Sequence, residues 1–205
     1  MRVVVLGAAG QLGRDVVRAL VAHGHTVRGA VRRPPDPALP SSVEIRIADA
    51  RNKNETRAAM SGFHAVVNVI GGGTLRRNDV ASSTSAVVVA AAQEVAMKRY
   101  IAMSAGMVAL DWPLFKYALR PLVFRHILAE HRRVEEIVRA SVLDWTIVRP
   151  SALTNRPPTG YVASLELQRR AFVTARGDVA AFIADELESG KYIRKAVFVA
   201  SRGRE

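Results

Sequence analysis

Short, wholly apolar runs alternate along the chain with longer segments in which apolar residues recur every three or four positions. That alternation predicts the elements. Val3, Val4, Val5 and Leu6 form the unbroken apolar run expected of a central parallel strand. Residues 11–23 then carry Leu12, Val16, Val17, Leu20 and Val21 on one helical face, and Gly24 stands where a helix ends. Further strands are expected at residues 26–31, 43–48, 65–70, 99–103, 145–148 and 196–199. Helices are expected at 52–60, at 80–96, through Phe124, Ile127, Leu128, Val134 and Val138 to residue 140, and at 178–188. Residues 107–121 are mixed in character and broken by Trp112-Pro113, and Arg156-Pro157-Pro158 reads as a turn. Strands alternating with helices predict an α/β fold, a doubly wound parallel sheet of Rossmann type with small C-terminal elements beside a substrate pocket. Without a repeat, a low-complexity segment or a linker, residues 1–205 read as a single domain.

Composition narrows the class. Among 205 residues 49% are hydrophobic and 23% charged, as in ordinary globular proteins. The absence of cysteine excludes disulfides, thiolate chemistry and cysteine-based metal sites. No signal-peptide pattern and no apolar run of membrane-spanning length is present, so a cytoplasmic protein without a membrane partner is expected. The net charge is +12, from 30 basic and 18 acidic side chains, but the arginines are dispersed and no nucleic-acid-reading motif accompanies them. The reading preferred to a nucleic-acid partner is a solvated basic surface that favours small anionic ligands.

The candidate chemistry starts where the first strand ends. Gly7, Gly10 and Gly13 lie between that strand and the first helix, where a dinucleotide pyrophosphate must approach the backbone and meet a helix N-terminus. The second strand ends in Arg32-Arg33 rather than in the acidic residue that holds the ribose hydroxyls of NAD. Arginine pairs a 2′-phosphate through two N–H donors, so NADP(H) is favoured over NAD(H), with Arg32 and Arg33 as candidate ligands and a plain surface charge as the alternative for either. Asp49 closes the third strand, where it either lies against an adenine or caps a turn. Gly71-Gly72-Gly73 closes the fourth, either for close approach to a ligand or as a flexible loop.

These residues resemble the atypical short-chain dehydrogenase/reductase superfamily, and within it the NAD(P)H-binding, NmrA-like branch that includes flavin reductase and biliverdin-IXβ reductase. The carriers are the stretch from Gly7 through Ala9, Gly10, Gln11 and Leu12 to Gly13, Val31-Arg32, Ala48-Asp49, Ile70-Gly71-Gly72-Gly73, Ala102-Met103-Ser104-Ala105 and Asp144-Trp145-Thr146-Ile147-Val148-Arg149-Pro150. The resemblance implies a cofactor over Gly7, Gly10 and Gln11, its 2′-phosphate at Arg32 and its adenine flanked by Asp49 and Ala50. It also implies Gly71 and Gly72 on the ribose side, and Ser104, Pro150 and Ser151 near the nicotinamide.

One departure from the pattern matters. Classical members use Tyr-x-x-x-Lys for proton transfer. Four residues after Tyr100, Tyr117, Tyr161 and Tyr192 stand Ser104, Pro121, Leu165 and Ala196, so the motif is absent, and its two places align with Ile127 and His131. Transfer to a conjugated acceptor of flavin or quinone type needs orientation more than a strong protein acid. Ser104 and His131 are therefore the candidate catalytic residues. The alternatives are a strand-end hydroxyl bonded only to backbone and a core histidine. Residues 107–122 and 155–167 are expected to wall the substrate pocket. The rival to a reductase is an NADP(H)-binding sensor of the NmrA-like type. A monomer or small homo-oligomer fits either reading.

Overall fold

The structure is a computed structural model that describes residues 1–33, 39–71, 78–109, 124–167 and 173–203. Its strands and helices alternate as the apolar pattern predicts. The first half runs β1 (Arg2–Leu6), α1 (Gln11–Ala22), β2 (Thr26–Val31), β3 (Glu44–Ile47), α2 (Lys53–Met60) and β4 (Ala65–Asn68). The second half runs α3 (Val80–Glu94), β5 (Arg99–Met103), a 3-10 turn (Gly106–Ala109), α4 (Arg125–Ala140), β6 (Asp144–Pro150), β7 (Ala152–Thr154), β8 (Tyr161–Ser164), β9 (Val173–Ala175), α5 (Arg176–Ser189) and β10 (Lys195–Ser201).

Eight strands form one sheet in the order β3-β2-β1-β4-β5-β6-β10-β8. Seven run parallel, as the doubly wound reading expects, and β8 adds an antiparallel strand at the edge beside β10. β7 and β9 form a separate parallel pair. The three residues of β7 and of β9 are too few to show a period, and the turn residues around Pro157 conceal β8.

The two faces of the sheet have separate cores, because successive side chains of a strand point to opposite sides. Val3 and Val5 pack with Leu12, Val16, Val17 and Leu20 of α1 and with Phe182 and Ile183 of α5. Val4 and Leu6 pack on the other side with Met60 of α2, Val88 of α3, Val134 and Val138 of α4, and Trp145. Helices on both faces make the sheet doubly wound. β1 lies between β2 and β4, where the strand order reverses, and a crevice opens there at the carboxyl ends of the strands.

The glycine turn shows which glycine serves which purpose. Gly7 has φ +84°, a conformation that L side chains rarely adopt. A Cβ at Gly13 would stand 2.1 Å from the Gly7 carbonyl oxygen and 2.9 Å from Ala8 Cα, so the third glycine is required for helix–strand packing. Among the described residues no helix is long and apolar enough to cross a membrane.

Candidate functional site

A cavity of about 780 Å³ occupies the crevice, within the range of small-molecule and cofactor sites. Its wall brings together, from distant points of the chain, Gly7, Ala9, Gly10, Gln11 and Leu12 of the first turn, Arg32 after β2, Asp49 and Ala50 after β3, Ile70 and Gly71 after β4, Ser104 after β5, His131 of α4, and Pro150 and Ser151 at the end of β6. Arg33 is exposed at the bend and does not line the cavity. Gly72 lies outside the described residues, as do residues 110–122 of the expected pocket wall. The other expected segment, 155–167, does not line this cavity; Asn155, Arg156, Pro157 and Pro158 line a separate groove beside α1 and α5. Met107, the first residue of the expected segment 107–122, does line the cavity, and Leu153 of β7 lines it as well.

The end of the cavity beside the glycine turn is formed largely by backbone. Gly10 is the N-cap of α1 and offers no side-chain cap, and the first turn holds no acidic residue. The first N–H groups of a helix have no partner within it, so those of α1 are left for an anion. α2 differs, because Asn52 Oδ1 accepts from the N–H groups of Asn54 and Glu55. In α3, Glu130 accepts the Ser82 N–H at 2.7 Å and the Ser82 hydroxyl at 2.9 Å. A Cβ at Gly71 would meet nothing within 4 Å. Gly71 thus leaves room that a side chain would fill, and a dinucleotide fits the donors and the space present.

The opposite end is organised by a buried ion pair that the sequence reading did not include. Glu135 accepts from Arg149 through two bonds, Nε–H to Oε1 at 2.8 Å and Nη2–H to Oε2 at 2.6 Å. The Ser104 hydroxyl donates to the same Oε1 at 2.9 Å, and Arg139 Nη2 approaches Oε2 at 3.4 Å. Burial by itself would raise the Glu135 pKa; the Arg149 and Ser104 hydrogen bonds and the nearby guanidinium charges outweigh it and hold the carboxyl below its usual range. Glu135 is therefore ionised, and Ser104 has committed its one proton to it. The hydroxyl of Ser104 can accept a further hydrogen bond but not donate one. It is not the backbone-only hydroxyl that was the alternative reading.

Ile127, Glu130 and His131 reach the cavity from consecutive turns of α4, so the two positions expected from sequence to match the classical motif both line it. Among the described residues His131 Nδ1 is buried without a hydrogen-bond partner. Burial pushes the imidazole pKa down, against the smaller opposing effect of the Glu130 and Glu135 charges. His131 is thus neutral near neutral pH, able to accept or donate a hydrogen bond but not to act as a fixed cation. Tyr100, Tyr161 and Tyr192 do not line the cavity, and Tyr117 lies outside the described residues.

A signal for Glu135 does exist in the sequence: it falls on the apolar stripe of α4, seven residues after Leu128, and is 5% exposed. A carboxylate on a buried face requires a partner. Nothing in the local pattern identifies Arg149 as that partner, because the two meet only through the fold.

Comparisons with known proteins agree with this geometry. A profile of the NAD(P)H-binding family matches residues 7–190. The uncharacterized sugar epimerase YhfK of Bacillus subtilis is 31% identical over 199 residues, which cover 92% of this chain and 88% of that protein. A wide-type short-chain dehydrogenase/reductase from Veillonella parvula, solved in complex with NADP, superposes with a TM-score of 0.80 at 22% identity, covering 98% of this chain and 95% of that one. A proposed NADH-flavin reductase from Streptococcus pneumoniae gives 0.83 at 21% identity, covering 98% and 100%. At these identities the two solved structures show a shared fold.

Proposed function

The chain belongs to the NAD(P)H-binding family, and from that premise we propose that it is an atypical short-chain dehydrogenase/reductase, an NADPH-dependent reductase of a conjugated acceptor such as a flavin or quinone. The carrying observation is the Ser104–Glu135–Arg149 network, which meets the cavity wall through Ser104, in a site where Ile127 and His131 stand at the places of the tyrosine and lysine. Such a site can orient an acceptor but offers little acid strength. When bound, the reduced nicotinamide supplies a hydride.

The residues divide the remaining tasks. The N–H groups at the start of α1 hold the pyrophosphate, and Arg32 takes the 2′-phosphate. Asp49 and Ala50 flank the adenine, Ile70 and Gly71 leave space for the ribose, and Pro150 and Ser151 border the nicotinamide. Ser104, fixed by Glu135, accepts an N–H from the nicotinamide carboxamide or from the acceptor. His131 orients the acceptor as a neutral hydrogen-bonding group. Solvent supplies the proton that an acceptor of this class takes up, so no strong side-chain acid is needed. The whole chain acts as one NAD(P)-binding domain.

One observation favours a second reading, a sensor that holds NADP(H) without turnover: Ser104 donates its proton to Glu135 and His131 is neutral, so neither provides a strong acid. NADPH titration run beside turnover with FMN, FAD and a soluble quinone separates the two. Binding with saturable turnover supports the reductase. Binding with no turnover on any acceptor replaces it by the sensor, and binding of neither nucleotide overturns both.

A further inference from the structure

A second cation stands at the adenosine end of the cavity. β2 and β3 run parallel with Val31 opposite Ile47, and the Ala48 N–H donates to the Val31 carbonyl at 2.9 Å. The segments that leave the two strands therefore emerge side by side, one carrying Arg32 and the other Asp49 and Arg51. Arg51 lines the same cavity. Its backbone N–H donates to Asp49 Oδ1 at 3.0 Å, and its Nη2 lies 3.3 Å from Asp49 Oδ2. The Asp49 carboxyl is held below its usual range by the Arg51 backbone hydrogen bond, then by the Arg51 side chain, with the Arg32 charge adding to them. One ionised carboxylate thus faces two guanidiniums.

The Arg51–Asp49 pair is exposed at both partners, with 53% and 37% of the side chains accessible. Pairs of that kind contribute little to stability and are readily exchanged. A phosphate dianion offers a guanidinium stronger, charge-assisted bonds. We propose that Arg51 is a second ligand of the ribose 2′-phosphate beside Arg32, and that Asp49 is the internal counter-anion that Arg51 gives up when the phosphate arrives. The proposal rests on the NADP(H) preference of the proposed function, and it makes Arg51 a specificity-determining residue of that site.

The probes are 2′,5′-ADP and 5′-ADP, which differ by the one phosphate in question and require no turnover. Calorimetric titration of the whole chain is expected to show wild-type protein preferring 2′,5′-ADP. Arg51→Ala lowers that preference about tenfold, the scale of one lost charge-assisted hydrogen bond, leaves 5′-ADP affinity within about twofold, and Arg51→Lys recovers part of the loss. A preference that survives Arg51→Ala but collapses in Arg32→Ala overturns the proposal while leaving the NADP(H) reading intact. Equal weakening of both nucleotides by Arg51→Ala also overturns it, because Arg51 would then serve the adenosine or the loop. A wild-type protein that does not distinguish the probes overturns the NADP(H) reading and the proposal with it.

Discussion

The Ser104 hydroxyl donates to Glu135 Oε1 at 2.9 Å, so the residue that follows β5 meets the cavity as a hydrogen-bond acceptor only. Ser104→Ala removes that acceptor without disturbing the Glu135–Arg149 pair. In steady-state kinetics it is expected to lower kcat/KM about tenfold, the scale of one hydrogen bond, with the thermal midpoint little changed. An unaltered kcat/KM would remove Ser104 from the mechanism.

Glu135 and Arg149 form a buried pair, with 7% and 15% of their side chains accessible. Arg149→Met leaves Glu135 buried without its main counter-charge and is expected to cost about 3–5 kcal/mol in urea unfolding at neutral pH. The pH dependence follows from the lowered pKa of Glu135. The unfolded carboxyl takes up a proton near the ordinary value of 4.5, while the folded one resists until lower pH. Its contribution is complete above that value and lost as pH falls through the folded pKa. Glu135→Gln should flatten the acid limb of the stability curve below about pH 4.5.

Burial pushes the His131 pKa below 6.5, which reverses the usual behaviour of a histidine that gains a partner. The unfolded imidazole binds a proton as pH drops through 6.5 and the folded one does not, so the unfolded state is favoured and stability falls. Comparing urea midpoints of wild type and His131→Gln at pH 7.5 and 5.5 tests this. The variant should lose less stability over that interval, whereas equal losses would mean that the imidazole is solvated.

Gly13 is fixed by packing and not by the ligand. A Cβ would stand 2.1 Å from the Gly7 carbonyl oxygen, and because the atoms it meets are all backbone of Gly7 and Ala8 no side-chain movement can relieve it. Gly13→Ala is therefore expected to destabilise the chain by about 3 kcal/mol, read as a fall in thermal midpoint without cofactor present. Wild-type stability in this variant would mean that the start of α1 does not approach the Gly7–Ala8 turn as closely as the structure shows.

The fold was legible because the sheet is built from unbroken apolar runs such as Val3-Val4-Val5-Leu6, and because Gly7, Gly10 and Gly13 have one economical explanation between a strand and a helix. Residues that contribute backbone to the cavity could be read in the same way, since their place follows from where a strand ends. The side-chain chemistry was less accessible. Glu135 and Arg149 are 14 residues apart on α4 and β6, and only the packing of that helix on the sheet pairs them. Arg51 resembles any surface arginine until the β2–β3 register brings its segment to the same cavity as Arg32. Arg33, which the same dipeptide made a candidate, does not line the cavity because the chain bends after Arg32.

The most direct measurement is the initial rate of NADPH oxidation with FMN as acceptor, compared with NADH under the same conditions. Saturable turnover is expected, with kcat/KM for NADPH exceeding that for NADH and a difference that contracts about tenfold or more in Arg32→Ala as charge-assisted phosphate contacts are lost. Turnover that favours NADH, or a preference for NADPH that Arg32→Ala leaves untouched, would contradict that expectation.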